Sequence, residues 1–239
     1  MHLLSSHFKY SLLPSDFLLP NEHVYCRQIS FEITDIDETD FTFHQVALPL
    51  AFNNMVPKRR CEYLAGRICA KMALKQYKTE EHYEIISNPD RSPCWPNGII
   101  GSITHTESIA AACIASESTH TNIGIDCEKV ISSDLCKEIE HQVLVAHEFD
   151  IYRKIKFPKE LFVTLIFSAK ESIFKSLYKD VREVFDFNTA MLIELTHDNL
   201  KFVLTKKLAK RWNVGDEINI QYRVIDNHVF TSNNIKMVE

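Results

Sequence analysis

The sequence predicts an α/β fold of the α+β kind, built as two halves. Each half places a long helical pattern before a strand-rich segment: KRRCEYLAGRICAKMALKQY in the first, Lys159 to Tyr178 in the second. A loop dense in turn formers, ISNPDRSPCWPNG over residues 86–98, closes the first helical pattern. With 239 residues there is room for one large domain or two small ones. We expect halves at 1–120 and 121–239.

Residues 1–50 carry short apolar runs broken by Pro14, Pro20 and an acidic stretch from Thr34 to Asp40, which read as strands and loops. Asn54 and Pro57 are start signals for the first long helix. Ile99 to Thr104 and Ile123 to Glu128 read as strands. Between them, ESIAAACIAS is small and apolar, and periodicity does not separate a buried strand from a short helix. A helical region of mixed charge is expected from about Asp134 to Arg153. The helix from Lys159 sets Phe162, Leu165, Ile166, Ala169, Ile173 and Leu177 on one face. MLIEL, KFVL, INIQYRVID and HVFTS then read as strands, the last two joined by a turn at Asp226-Asn227.

A net charge of −5 and a pI near 6.1 argue against a general nucleic-acid binder. The 7 Cys are scattered, odd in number and without a C-x-x-C pair, which favours a reduced, cytoplasmic protein over a disulfide framework or a zinc site. The start, MHLLSSHFKYSLLP, lacks a basic leader followed by a sustained apolar core. No apolar run approaches a bilayer span, so no membrane role is expected. A monomer is expected.

Chemistry concentrates in three short motifs. In IGIDCE, strand alternation sends Ile123, Ile125 and Cys127 to one face and Gly124, Asp126 and Glu128 to the other. Two carboxylates two residues apart suit Mg²⁺, which takes one or two protein carboxylates beside substrate phosphates. The bland alternative is the polar edge of a half-buried strand. In FSAKESIFKSLY, Glu171 and Lys175 lie one turn apart, opposite the apolar face, bordered by Phe167, Phe174 and Tyr178. They are either an exposed ion pair worth about 0.3–0.5 kcal/mol or part of a site. In GSITH, Thr104 and His105 fall at a strand end, where His105 is either structural or a donor to a phosphate oxygen.

The first helix adds cations. Arg60, Arg67 and Lys71 share a stripe and Arg59 lies off it. Such a stripe suits a phosphate monoester, because guanidinium forks match phosphate oxygens, or it is simply a solvated face. Arg91 in the 86–98 loop is a further cation.

The ordered set RR-x-E-x-L-A-G-R, P-x-WP, GS-x-TH, GID-x-E and FSAKES-x-F-K, spanning Lys58 to Tyr178, resembles the 4′-phosphopantetheinyl transferases, nearest their siderophore-associated class. The resemblance implies two similar α/β halves related by a pseudo-twofold. It also implies transfer of the phosphopantetheine arm of coenzyme A to a serine of an apo carrier protein or carrier domain, releasing 3′,5′-ADP. By that resemblance Asp126, Glu128 and Glu171 bind Mg²⁺, and Glu171 is the candidate base. Lys170 and Lys175 lie near the transferred diphosphate. Thr104 and His105 sit by a coenzyme A phosphate, and Arg59, Arg67 and Arg91 serve the 3′-phosphate and adenosine end. Helical geometry favours Arg60 and Lys71, whereas the motif favours Arg59, and we follow the motif. A non-catalytic coenzyme A or carrier-protein binding module would keep the cations but have no need of all three acids. For docking an acidic carrier, Arg153, Lys154, Lys156 and Lys159, interleaved by Phe157 and Leu161, form the candidate patch. Residues 1–57 and 180–239 match no motif.

Overall fold

The computed structural model describes residues 6–14, 23–78 and 83–237. The expectations at Pro20 and over the first five residues lie outside them. The chain divides into two compact units. One runs to Thr121 and includes the stretch from Lys236, and the other is built on Asn122–Ile235.

In the first unit, β1 (Tyr10–Leu13) and β2 (Val24–Phe31) precede a short helix, α1 (Glu38–Phe43). That helix corrects the reading of the acidic stretch as loop. Its acids are spent on backbone amides. Asp37 caps Thr39 N while Asp40 reaches back to Asp37 N, a reciprocal capping box. The buried Asp40 also accepts from His7 N, Phe8 N and Ser6 Oγ, which ties the chain ahead of β1 to α1.

The long helix α2 (Pro57–Tyr77) starts with Pro at its first position, where a missing N–H costs nothing. β3 (Ile99–His105) and β4 (Ile109–Ser116) complete an antiparallel sheet in the order β1-β2-β4-β3. The undecided ESIAAACIAS is thus a strand. It lies between two partners, with Ala110 to Ala115 all buried. Alternate residues Ala110, Ala112 and Ile114 join Ile29 and Phe31 in a core shared with Leu64, Ala65, Ile68 and Cys69 of α2.

One expectation about the cysteines is corrected. Cys26 and Cys113 face each other in the β2–β4 register and form a disulfide. The other five are free thiols. Direct opposition across an antiparallel pair brings the two together, and the 87-residue separation hides it from any spacing rule.

The second unit opens with β5 (His120–Lys129), whose first two residues still belong to the first unit. The helical region expected from Asp134 to Arg153 holds two helices, α3 (Ser133–Val143) and α4 (Ala146–Tyr152). The chain turns extended at Leu144 and Val145, and Glu148 accepts from Val145 N to start α4. α5 (Lys159–Val181) follows and ends at Arg182 in the left-handed conformation. Then come β6 (Ala190–Leu195), β7 (Asn199–Leu204), β8 (Glu217–Ile225) and β9 (His228–Lys236). The sheet order is β5-β9-β8-β7-β6. Asp226 and Asn227 both have positive φ, which matches the two-residue hairpin turn read from sequence. All six predicted apolar positions of α5 are fully buried, in a core with Leu192, Leu200, Phe202, Ile218, Ile220 and Val229. No helix of the described residues is long and apolar enough to cross a membrane.

Candidate active site

The acidic constellation lies within the second unit. The face of β5 that carries Gly124, Asp126 and Glu128 is the face on which α5 lies. A Cβ on residue 124 would come within 2.7 Å of Ser176 N and 2.9 Å of Ser176 Cβ, so only glycine allows this approach. The helix answers with small residues. Ser168 and Ser172 bond to Thr231 of β9, and Ser176 Oγ donates to Asn233 Oδ1 at 2.6 Å.

This contact brings four charged groups of strand and helix into one field. Lys175 Nζ donates to Asp126 Oδ1 at 2.5 Å, and Asp126 is 2 % exposed. Asp126 is therefore no polar edge. Glu128 is half-buried, and its pKa is pushed up to about 8, by burial first and then by Asp126 and Glu171, against the pull of Lys175. Burial also raises the Glu171 carboxyl, with Lys175 opposing and Asp126 adding to the rise. Of the aromatics expected beside them, Phe174 packs on Tyr178 and Phe185, and Phe167 on Phe187.

Among the described residues, no three His, Cys, Asp or Glu side chains are gathered as a ready metal cage. The donor set nevertheless fits a hard divalent cation. All its donors are carboxylate oxygens, and their mutual repulsion is what a cation relieves. Asp126, Glu128 and Glu171 are the residues that would hold it.

The basic constellation lies within the first unit. Arg59 Nη1 donates to His105 Nε2 at 2.7 Å, joining the first turn of α2 to the end of β3. Arg67 is buried. Its guanidinium stacks 4.5 Å over the Tyr63 ring and donates to Ser87 Oγ at 2.9 Å. Burial lowers its pKa, Tyr63 raises it, and Arg59 lowers it again, so the two arginines share one field. Arg60 and Lys71, favoured by helical geometry, are spent on packing. Arg60 lies over the Phe52 ring, and Lys71 donates to the carbonyls of His44 and Gln45. Thr104 is buried within β3 opposite Ala111. Arg91 stands exposed in its loop with φ 70.

Each unit matches a family model. Residues 48–115 match the 4′-phosphopantetheinyl transferase N-terminal domain, and residues 122–231 match the 4′-phosphopantetheinyl transferase superfamily. Among similar proteins, enterobactin synthase component D of Salmonella typhimurium is 33% identical over 180 residues, which is 74% of each chain. The chain belongs to the 4′-phosphopantetheinyl transferase superfamily. The same-named protein of Escherichia coli strain K12 is 35% identical over 50% of this chain and 55% of its own. The 4′-phosphopantetheinyl transferase Svp of Streptomyces mobaraensis is 30% identical over 57% of this chain and 55% of its own.

One residue of the family motif is corrected. Lys170 is expected at the diphosphate, yet it is buried on another side of α5. Its Nζ donates to Glu148 Oε2 and to the Val143 carbonyl, each at 2.8 Å. Lys170 precedes Glu171 by one helical step of about 100°, which turns it from the acids toward α4. Glu148 is fully buried and bonds Leu192 N of β6 as well.

Sequence reasoning missed Glu148 and Glu62. Glu148 shows one local signal, its place three residues into α4. Glu62 stands inside the RR-x-E motif, three residues after Arg59, and the motif assigns it no role.

Proposed function

We propose that this transferase moves the phosphopantetheine arm of coenzyme A to a serine of an apo carrier domain, with Mg²⁺, and that it serves a siderophore-type synthetase. The observation that carries the chemistry is the approach of β5 and α5 at Gly124, which sets Lys175 on Asp126 with Glu128 and Glu171 in the same field. The relatives named enterobactin synthase component D support the acceptor class.

In this reading the serine Oγ attacks the phosphorus of the arm, the P–O bond to the nucleotide breaks, and 3′,5′-ADP leaves. Asp126, Glu128 and Glu171 would hold Mg²⁺, which would supply charge neutralisation for the diphosphate. Glu171 takes the serine proton. Burial raises the Glu171 carboxyl in the metal-free protein, and a bound cation would draw it back down. Lys175 passes from Asp126 to a phosphate oxygen as charge develops there. Arg59 and His105 bind a phosphate, with Arg67 and Arg91 at the nucleotide end. Positioning and charge neutralisation dominate such a transfer. The protein acts as a cytoplasmic monomer.

The test is the mass of an apo peptidyl carrier domain after incubation with coenzyme A, Mg²⁺ and the protein. A gain of one phosphopantetheine on the acceptor serine is expected. Coenzyme A binding with no mass change would replace this reading with a non-catalytic binding module.

A further inference from the structure

Glu62 has no part in the chemistry above, yet three basic side chains converge on it. It is mostly buried on α2, with Lys58 Nζ at 3.9 Å, Arg59 Nη1 at 3.3 Å and His105 Nδ1 at 3.7 Å. Arg59 links Glu62 to His105, since the same Nη1 donates to both.

This geometry fixes the state of the imidazole. A guanidinium has donors only, so the nitrogen it meets at 2.7 Å must offer a lone pair. In this contact His105 Nε2 accepts, which leaves Nδ1 as the nitrogen to carry the ring proton. Glu62 stands on that side, beyond hydrogen-bond length but within ion-pair range, where a carboxylate favours an N–H. A free imidazole has no such instruction.

We propose that Glu62 is a positioning residue for phosphate binding, setting the Nδ1–H tautomer of His105 and holding Arg59 against the ring. The inference rests on the reading of Arg59 and His105 as a phosphate site. Side chains already held in place lose less freedom when the anion arrives. The ligand class is a phosphate monoester such as that of coenzyme A.

The sign of the effect separates this from plain charge. Removing a carboxylate from beside an anion site strengthens anion binding by Coulomb's law alone. Removing a positioning residue weakens it. The first measurement is the ¹⁵N–¹H correlation spectrum of the imidazoles without ligand, with the His105 signal identified by its loss in His105→Asn. The Nδ1–H tautomer is expected in the wild type, and the Nε2–H form should appear in Glu62→Met. The second is calorimetric titration with 3′,5′-ADP, where Kd should rise about fivefold in Glu62→Gln and more in Glu62→Met. An Nε2–H ring in the wild type, or unchanged or tighter 3′,5′-ADP binding in Glu62→Gln, overturns the proposal. Neither measurement needs turnover, so a failed carrier-mass assay and a failed tautomer assignment are separate results.

Discussion

The Ser172 carbonyl oxygen lies so close to Gly124 that a Cβ on residue 124 would fall well inside van der Waals contact with it. The obstacle is backbone on both sides, Ser172 O and Ser176 N, and neither can rotate away as a side chain would. Gly124→Ala must therefore push α5 off β5. We expect a loss of about 1–3 kcal/mol in urea unfolding, the usual range for overpacking. Transfer activity should fall further than stability does, because Asp126 and Glu171 part company. A variant as stable and as active as the wild type would show that the approach is not required.

The Lys170–Glu148 pair gives a second expectation. Both side chains are buried, so Glu148→Gln strands a charge and should cost about 3–5 kcal/mol. Replacing both, as Lys170→Met with Glu148→Gln, should recover part of that loss, since Gln keeps an acceptor for Leu192 N. If Lys170 served the diphosphate instead, Lys170→Met would abolish transfer while the melting curve stayed in place.

Glu128 makes stability depend on pH. In the fold its pKa is pushed up to about 8, and in the unfolded chain it returns to an ordinary carboxylate value of 4.5. Between these values the native state binds the extra proton, so unfolding free energy falls as pH rises. The slope from this one group is at most about 1.4 kcal/mol per pH unit. In EDTA, Tm should drop from pH 5 to pH 8, and Glu128→Gln should flatten the drop. Mg²⁺ should raise Tm more at pH 8 than at pH 6, because at pH 6 it must first displace a proton. An equal Mg²⁺ effect at both values would remove Glu128 from the cation site.

For docking the carrier, the basic patch is smaller than its sequence suggests. Arg153 pairs with Asp150 and Lys159 with Glu140. Lys154 and Lys156 remain exposed. Lys154→Glu with Lys156→Glu should raise KM for an acidic carrier domain several-fold and leave KM for coenzyme A unchanged, since rim charges act mainly on encounter. Normal carrier kinetics would shift the docking surface toward Leu135, which is exposed on α3.

Where periodicity or turn chemistry decides, the sequence carries much of the fold. The α5 face from Phe162 to Leu177 and the Asp226-Asn227 turn are both found as read. Asp126, Glu128 and Glu171 do share one field, and Arg59 rather than Arg60 meets His105. What stayed hidden depends on partners far away in the chain. Asp40 looks like a loop residue until its distant targets, the amides of His7 and Phe8, are known. Lys170 and Lys175 look alike in the motif, and only the orientation of α5 separates a buried clamp from a lysine on the acids. ESIAAACIAS was undecidable because alanine suits a helix and a crowded central strand alike.

The Cys26–Cys113 bond closes a loop across the whole basic half, from β2 through α2 to β4. Closing 87 residues removes about 4–5 kcal/mol of chain entropy from the unfolded first unit. That sum is comparable to the entire net stability of a small domain. The endurance of the basic helix is thus coupled to the thiol–disulfide balance of its surroundings, while the acidic half, whose cysteines are all free, is indifferent to it.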